Sequence, residues 1–309
     1  IYGEGQSEKI IGKLNSNLKK KIFISTKVSP ENLPYQKFID SCLESIENLK
    51  VKKLDLIQPH WPNYDVDNDQ IIDAFYYLKK NKKVRYFGLS NYDLKDIKYF
   101  KLKLKDDFRF IQEEYSLRNR EVEAKINYCE KNNLKIVCYS PLSSGKISFN
   151  EKEKKIFLEI SQKTKKPISS IILNFLLSRS KNLLLIPHTS KINHLKQNMS
   201  SSKFRLHDRF LKILDKSFKS KYVSIPLKEV NYLDKNYNKI QSLNDAINNK
   251  AKLTPSPKSL ANILKKGYKL KSIKLIKKKK IFYIKEGRLR FWAHAIAFGK
   301  NKKIRMLVE

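Results

Sequence analysis

Six short apolar runs in this sequence each lead to polar side chains able to do chemistry. IFISTK ends on Lys27, LDLIQPH on His60, and RYFGLSN on Ser90 and Asn91; FIQEEYS carries Gln112, IVCYS carries Tyr139, and LLLIP runs into His188. Together they offer an ammonium, imidazoles, carboxamides and a phenol, a set suited to moving protons and to holding a polar, flat ligand. Such residues meet when they sit at the carboxyl ends of parallel strands, because the loops that follow those ends converge on one mouth. The pattern is that of an enzyme.

The stretches between the runs supply the connecting helices. Over 35–48, Phe38, Cys42, Leu43, Ile46 and Leu49 fall on one helical face. Further helices are expected over 7–18, with Ser7 as N-cap, and over 70–80, 94–100, 121–131, 192–199 and 208–218. Residues 151–180 read as one long or broken helical region interrupted by Pro167. The short connection from Tyr139 to Glu151 predicts an open mouth. Beyond 221 the alternation stops, which sets a domain boundary there. The tail predicts a helix over 257–266, strands over 272–276, 281–285 and 303–308, and a helix opening near Arg288.

Composition narrows the class. At 309 residues the chain is long enough for a barrel plus a small domain. No run approaches the roughly 20 apolar residues that cross a bilayer, and no charged-then-apolar leader opens the chain, so a soluble, cytoplasmic protein without a membrane partner is expected. Cys42, Cys129 and Cys138 are odd in number and lack metal-type spacing, which points to buried thiols and no metal site. Lysine and arginine number 66 against 30 acidic residues, a formal charge of +36. Most of this excess is lysine spread along the chain with Asn and Ile, as an AT-rich coding bias produces. It is densest around Lys277–Lys280, where a polyanion-binding patch is the competing reading. The sequence opens on Ile1 rather than Met and reads as a fragment whose beginning is missing.

YGEGQSEKIIGK, ISTKV, LDLIQPHWP, GLSNY, IQEEYSLRNRE, CYSPLSSG and IPHTSKINHLKQN follow one another in the order and spacing of the aldo-keto reductase family. The resemblance spans residues 1 to about 220. It implies a (β/α)8 TIM barrel, here lacking its first strands, followed by a small α+β domain over 221–309. It also implies reduction of a small aldehyde or ketone with NADP(H), or alternatively NAD(H), as cofactor. A phenol has a reference pKa of about 10 and needs a nearby cation to act as an acid near neutrality. By resemblance, Tyr2 is that acid, Lys27 lowers its pKa, and His60 orients the substrate oxygen. The family's aspartate partner of the lysine would precede Ile1, so the chain as it stands is expected to be impaired.

The same resemblance assigns the cofactor contacts. Ser90, Asn91 and Gln112 match the groups that hold the nicotinamide carboxamide, and Tyr139 matches the ring on which it stacks. Ser140 and Leu142 fall where the pyrophosphate passes. Thr189, Ser190, Gln197 and Asn198 match the adenosine end. His188 and His194 stand where relatives carry a lysine and an arginine for the 2′-phosphate, which weakens a strict preference for NADP(H). GEG at Gly3–Gly5 is not a Rossmann fingerprint, because no strand-turn-helix with a third glycine frames it.

The tail resembles the ParB-like and sulfiredoxin-like fold, on the G-x-x-R-x-x-A arrangement of Gly287, Arg290 and Ala293 after a strand. Sulfiredoxin-like chemistry requires a cysteine where Arg288 stands, and no thiol follows Cys138. The resemblance leaves nucleotide or nucleic-acid binding at Gly287, Arg288 and Arg290, with Phe291 and Trp292 as stacking candidates of which one is expected in the core. An alternative to a reductase is therefore a cofactor-sensing regulatory protein whose tail binds the nucleotide or nucleic acid.

Overall fold

The computed structural model describes residues 3–145, 147–232 and 240–309. Two short helices, α1 (Gln6–Gly12) and α2 (Ser16–Lys19), precede an alternation of strands and helices. It runs β1 (Ser25–Val28), α3 (Tyr35–Leu49), β2 (Leu54–Pro59), α4 (Asn68–Lys80), β3 (Val84–Ser90), α5 (Leu94–Leu104), β4 (Phe108–Glu114), α6 (Glu123–Lys131), β5 (Lys135–Tyr139), α7 (Glu151–Thr164), α8 (Ile168–Leu177), β6 (Leu183–Ile186), α9 (Ile192–Ser200) and α10 (Asp208–Ser217). The six strands pair in chain order and all in parallel. This is a TIM-barrel-like α/β fold. Its sheet is open among the described residues, so β1 and β6 are edges.

The helices lie where apolar residues recur at three- and four-residue spacing. In α3, Phe38, Ile39, Cys42, Ile46 and Leu49 are buried, and Phe38 meets Phe75 of α4 edge-on at 5.1 Å between ring centres. Phe75 in turn stacks at 4.0 Å on Phe87 of β3, which ties two helices to the sheet. Asp67 and Asp93 cap α4 and α5 by accepting from the backbone amides of Asp69 and Lys95. Asn150 and Glu153 form a reciprocal capping box on α7. The three thiols are all buried.

Several boundaries differ from the sequence expectation. Ser7 lies inside α1, and the N-cap is Gly5, whose φ of 84° a side chain would resist. The region 151–180, by contrast, breaks where expected, into two helices with Pro167 at the N-cap of α8. β1 begins only at Ser25, leaving Ile22 and Phe23 exposed, because an edge strand is held by one neighbour. On the other edge, Leu184 and Ile186 of β6 are 45% and 47% exposed.

A second sheet follows, built from β7 (Lys221–Pro226), β8 (Val230–Tyr232), β9 (Lys274–Lys278), β10 (Ile281–Glu286) and β11 (Lys303–Val308), with helices α11 (Leu243–Ile247), α12 (Pro257–Lys265) and α13 (Arg288–Phe298). Its order is β7-β11-β9-β10-β8, mixed parallel and antiparallel. Leu227, Ile273, Leu275, Ile284, Trp292 and Met306 belong to a core separate from that of the parallel sheet.

Candidate active site

Lys27 sits near the carboxyl end of β1, beside Gln58 of β2 in register. Burial of its ammonium lowers its pKa to about 8. His60 follows β2, and its backbone N–H donates to the Val28 carbonyl at 2.8 Å, which fixes it against the end of β1. Its ring lies 4.6 Å from that of Trp61. Burial and repulsion by Lys27 bring its pKa down to about 4, so the imidazole is neutral across the physiological range. The structure thus brings Lys27 and His60 together, and Lys27 also lines a cleft with Gly5, Glu8, Thr26 and Asn48. Tyr2 lies outside the described residues.

The ends of β3, β4 and β5 form a second cluster. Ser90 and Gln112 are register partners and both are buried. Asn91 adopts φ 66°, a left-handed conformation that Asn tolerates better than most residues. Its side-chain amide donates to the His60 carbonyl and to Ser90 Oγ, both at 3.0 Å. The Tyr139 hydroxyl donates to Asn91 Oδ1 at 2.9 Å. Four of the expected cofactor residues therefore sit on three neighbouring strand ends, and His60 is joined to them through its backbone. Ser140, with φ 53°, and Leu142 continue from β5 on the same rim.

At the far end of the sheet, His188, Ser190 and His194 are exposed. Thr189 Oγ1 accepts from the backbone N–H of Lys191 at 3.1 Å just ahead of α9. Gln197 is half-buried, with its carbonyl held by Ser170, while Asn198 is buried.

Sequence reasoning missed two groups of residues here. Gln58 is wholly buried and its amide donates to Gln112 Oε1 at 2.7 Å, so it sets which way the Gln112 carboxamide points. A carboxamide following the apolar pair Leu56–Ile57 near the carboxyl end of the strand was the available signal. The other group comes from the C-terminal domain. Lys271, between α12 and β9, donates to the Tyr139 hydroxyl at 2.9 Å and to Asn91 Oδ1, and lies 3.3 Å from Glu113 Oε2. Lys274 of β9 pairs with Glu114, and Ser272 with Glu121. Burial works to raise the pKa of Glu113, but the ammonium groups of Lys125 and Lys271 hold it below the usual carboxylate range. The mouth is therefore covered along β3–β5, contrary to the open rim expected from the short 139–151 connection.

In the tail, Gly287 caps α13 at φ 100°, and a Cβ there would stand 3.0 Å from Arg290. Arg290 folds back to donate to the Ser272 carbonyl at 3.0 Å and to Glu286 at 3.1 Å. Arg288 is half-buried beside it. Phe291 and Trp292 are both buried, so neither ring is available for stacking on a base. Among the described residues no cluster of His, Cys, Asp and Glu could hold a metal ion, and no helix is long and apolar enough to cross a membrane.

The aldo/keto reductase family model matches residues 1–219. The chain belongs to this family. It is 27% identical over 221 residues to the methylglyoxal reductase YeaE of Escherichia coli, covering 71% of this chain and 77% of that protein. The glyoxal reductase of Bacillus subtilis is 25% identical over 197 residues, 64% of this chain and 68% of its own length. Among solved structures, the thermostable aldo-keto reductase Tm1743, in complex with the inhibitor epalrestat, superposes with a TM-score of 0.65 at 28% identity, covering 70% of this chain and 78% of that one. An aldo-keto reductase of Klebsiella pneumoniae in complex with NADPH gives a TM-score of 0.65 at 22% identity over 71% of this chain and 77% of that one, and shares the fold.

Proposed function

We propose that this aldo/keto reductase chain reduces a small aldehyde or ketone to the alcohol, using the mouth of the parallel sheet as its active site. The observation that carries the reading is the convergence of Lys27, His60, Asn91 and Tyr139 at adjoining strand ends. NADPH or NADH, when bound, supplies the hydride. The carboxamide-bearing Asn91 and Gln112, the hydroxyl of Ser90 and the flat ring of Tyr139 suit the nicotinamide end of such a cofactor, which needs both donors and acceptors. Ser140 and Leu142 follow the pyrophosphate, and Thr189, Ser190, Gln197 and Asn198 with His188 and His194 serve the adenosine end.

The chain's own part in the reaction is proton delivery and orientation. Tyr2 gives its phenolic proton to the carbonyl oxygen as the carbon accepts hydride, so the oxygen leaves as the alcohol. Lys27 favours the phenolate that remains; with a pKa of about 8 it is still mostly charged at pH 7. His60, neutral in this range, donates a hydrogen bond to the same oxygen without competing as an acid. The E. coli and B. subtilis relatives are named for methylglyoxal and glyoxal, which makes short 2-oxoaldehydes the first substrates to try.

The test is oxidation of NADPH and NADH by the chain with methylglyoxal and a reactive aryl aldehyde. Tyr2→Phe and Lys27→Met are each expected to lower kcat by about 10²-fold or more. Turnover unchanged in both variants would overturn the assignment.

The C-terminal domain, for which we place the boundary at 220/221, keeps its ParB-like reading as a separate proposal. It is supported by the strand, Gly287 and helix arrangement, with Arg288 as the side chain to meet a phosphate. Loss of ATP binding by the whole chain in Arg288→Ala would support it; binding that survives would remove it.

A further inference from the structure

The hydrogen-bonding capacity of Asn91 is already spent. Both amide hydrogens are used, on the His60 carbonyl and Ser90 Oγ, and Oδ1 accepts from both the Tyr139 hydroxyl and the Lys271 ammonium. A carboxamide side chain has two donors and two lone pairs, so no capacity is left for a ligand. Of these four partners, three belong to the barrel's own rim. Lys271 alone comes from the C-terminal domain.

Lys271 is also held there by a row of contacts on both sides. The backbone N–H of Lys269 donates to Asp93 at 3.3 Å, and that of Ser272 to Glu121 at 3.3 Å. Lys274, 6% exposed, pairs with Glu114. Tyr268 meets Tyr64 edge-on at 5.7 Å, and Trp61, next to His60, donates to the Thr254 carbonyl at 3.3 Å. Each barrel partner follows or ends a strand at the carboxyl edge of the sheet. The match is one of charge: acidic side chains on the rim face lysines on the strap.

We propose that segment 268–274 is an internal occupant of the nicotinamide subsite, with Lys271 in the place of the cofactor's carboxamide, so that docking of the C-terminal domain and cofactor binding exclude one another. The inference rests on the cofactor reading given above. It makes the apparent affinity for NADPH equal to the intrinsic affinity multiplied by the fraction of molecules in which the strap has lifted. The C-terminal domain thereby lowers the apparent affinity of the reductase for its cofactor through this contact.

The experiment is an NADPH fluorescence titration of the full chain, wild type against Lys271→Ala and Ser272→Ala. It is paired with hydrogen exchange of segment 268–274 in the wild type, with and without NADPH. Ser272→Ala loosens the strap through Glu121 without touching the subsite. The expected result is a Kd lower by about 10-fold in Lys271→Ala, a smaller decrease in Ser272→Ala, and faster exchange of the segment when NADPH is bound. NADPH binding with equal or weaker affinity in Lys271→Ala, or exchange of the segment unchanged by bound NADPH, overturns the occlusion and leaves the cofactor reading standing. NADPH binding to none of the three proteins overturns both.

Discussion

At the mouth, the charge of one side chain bears on the protonation of another. The ammonium of Lys27 is one reason His60 resists protonation, after burial itself. An NMR titration of the His60 imidazole should therefore give a midpoint near 4, and Lys27→Met should raise it while burial keeps it below the ordinary 6.5. A midpoint unmoved by Lys27→Met would mean the two groups are not neighbours in solution. The shift also has a consequence for stability. Because the folded pKa is depressed, the unfolded chain takes the proton first as pH falls. The contribution of His60 is thus intact above about 6.5, is lost between 6.5 and 4, and changes no further below. Gln58 acts at the same scale through one bond. Gln58→Leu leaves the Gln112 carbonyl buried without its donor, an omission that costs about 1–3 kcal/mol. Urea denaturation should register that loss, and NADPH affinity should fall with it because the Gln112 amide is no longer aimed.

At the scale of elements, the Gln58–Gln112 bond needs β3 to be thin where it crosses. Gly88 supplies this: a Cβ there would stand 2.7 Å from the Phe110 carbonyl and 3.1 Å from Gln58 Oε1. Gly88→Ala is expected to destabilise the sheet by about 1–3 kcal/mol, and by less in a Gln58→Ala background, since one of the three close contacts is then gone, the other two being with the carbonyl and Cβ of Phe110. Equal costs in both backgrounds would show that the contacts with Phe110 alone matter. The strands that carry this arrangement were readable in the sequence. Each pairs an apolar run with a polar end, and the helices between them keep a regular apolar stripe, as in Phe38, Cys42, Ile46 and Leu49 of α3. The edges were less readable: Ile22 and Phe23 look like the start of β1, but pairing to a single neighbour leaves them outside it. The docking of the strap was not readable at all. Lys271 is one lysine among many, and its partners Asn91 and Tyr139 are 180 and 132 residues away. No local pattern marks a contact of that kind.

Across the whole molecule, the formal charge of +36 means that folding brings many like charges together. Self-repulsion of this sort destabilises the compact state, and it acts over distances that salt readily screens. The Debye length falls from about 30 Å at 0.01 M salt to about 8 Å at 0.15 M. The ion pairs that join the two domains respond differently. Lys274 is 6% exposed and Glu113 is 3% exposed, so solvent ions reach them poorly. Screening should therefore weaken the repulsion more than it weakens these attractions. The thermal midpoint is expected to rise as sodium chloride is raised from 10 to 150 mM, with most of the gain at the low end, as checked by circular dichroism at constant pH. A midpoint that falls instead would mean that the bonds of Lys271 and Lys274 to the rim dominate the salt response, in which case Lys274→Met should abolish the fall. Either sign of the slope thus measures how far the lysine excess is a burden on the fold and how far it is tied into the contact between its two halves.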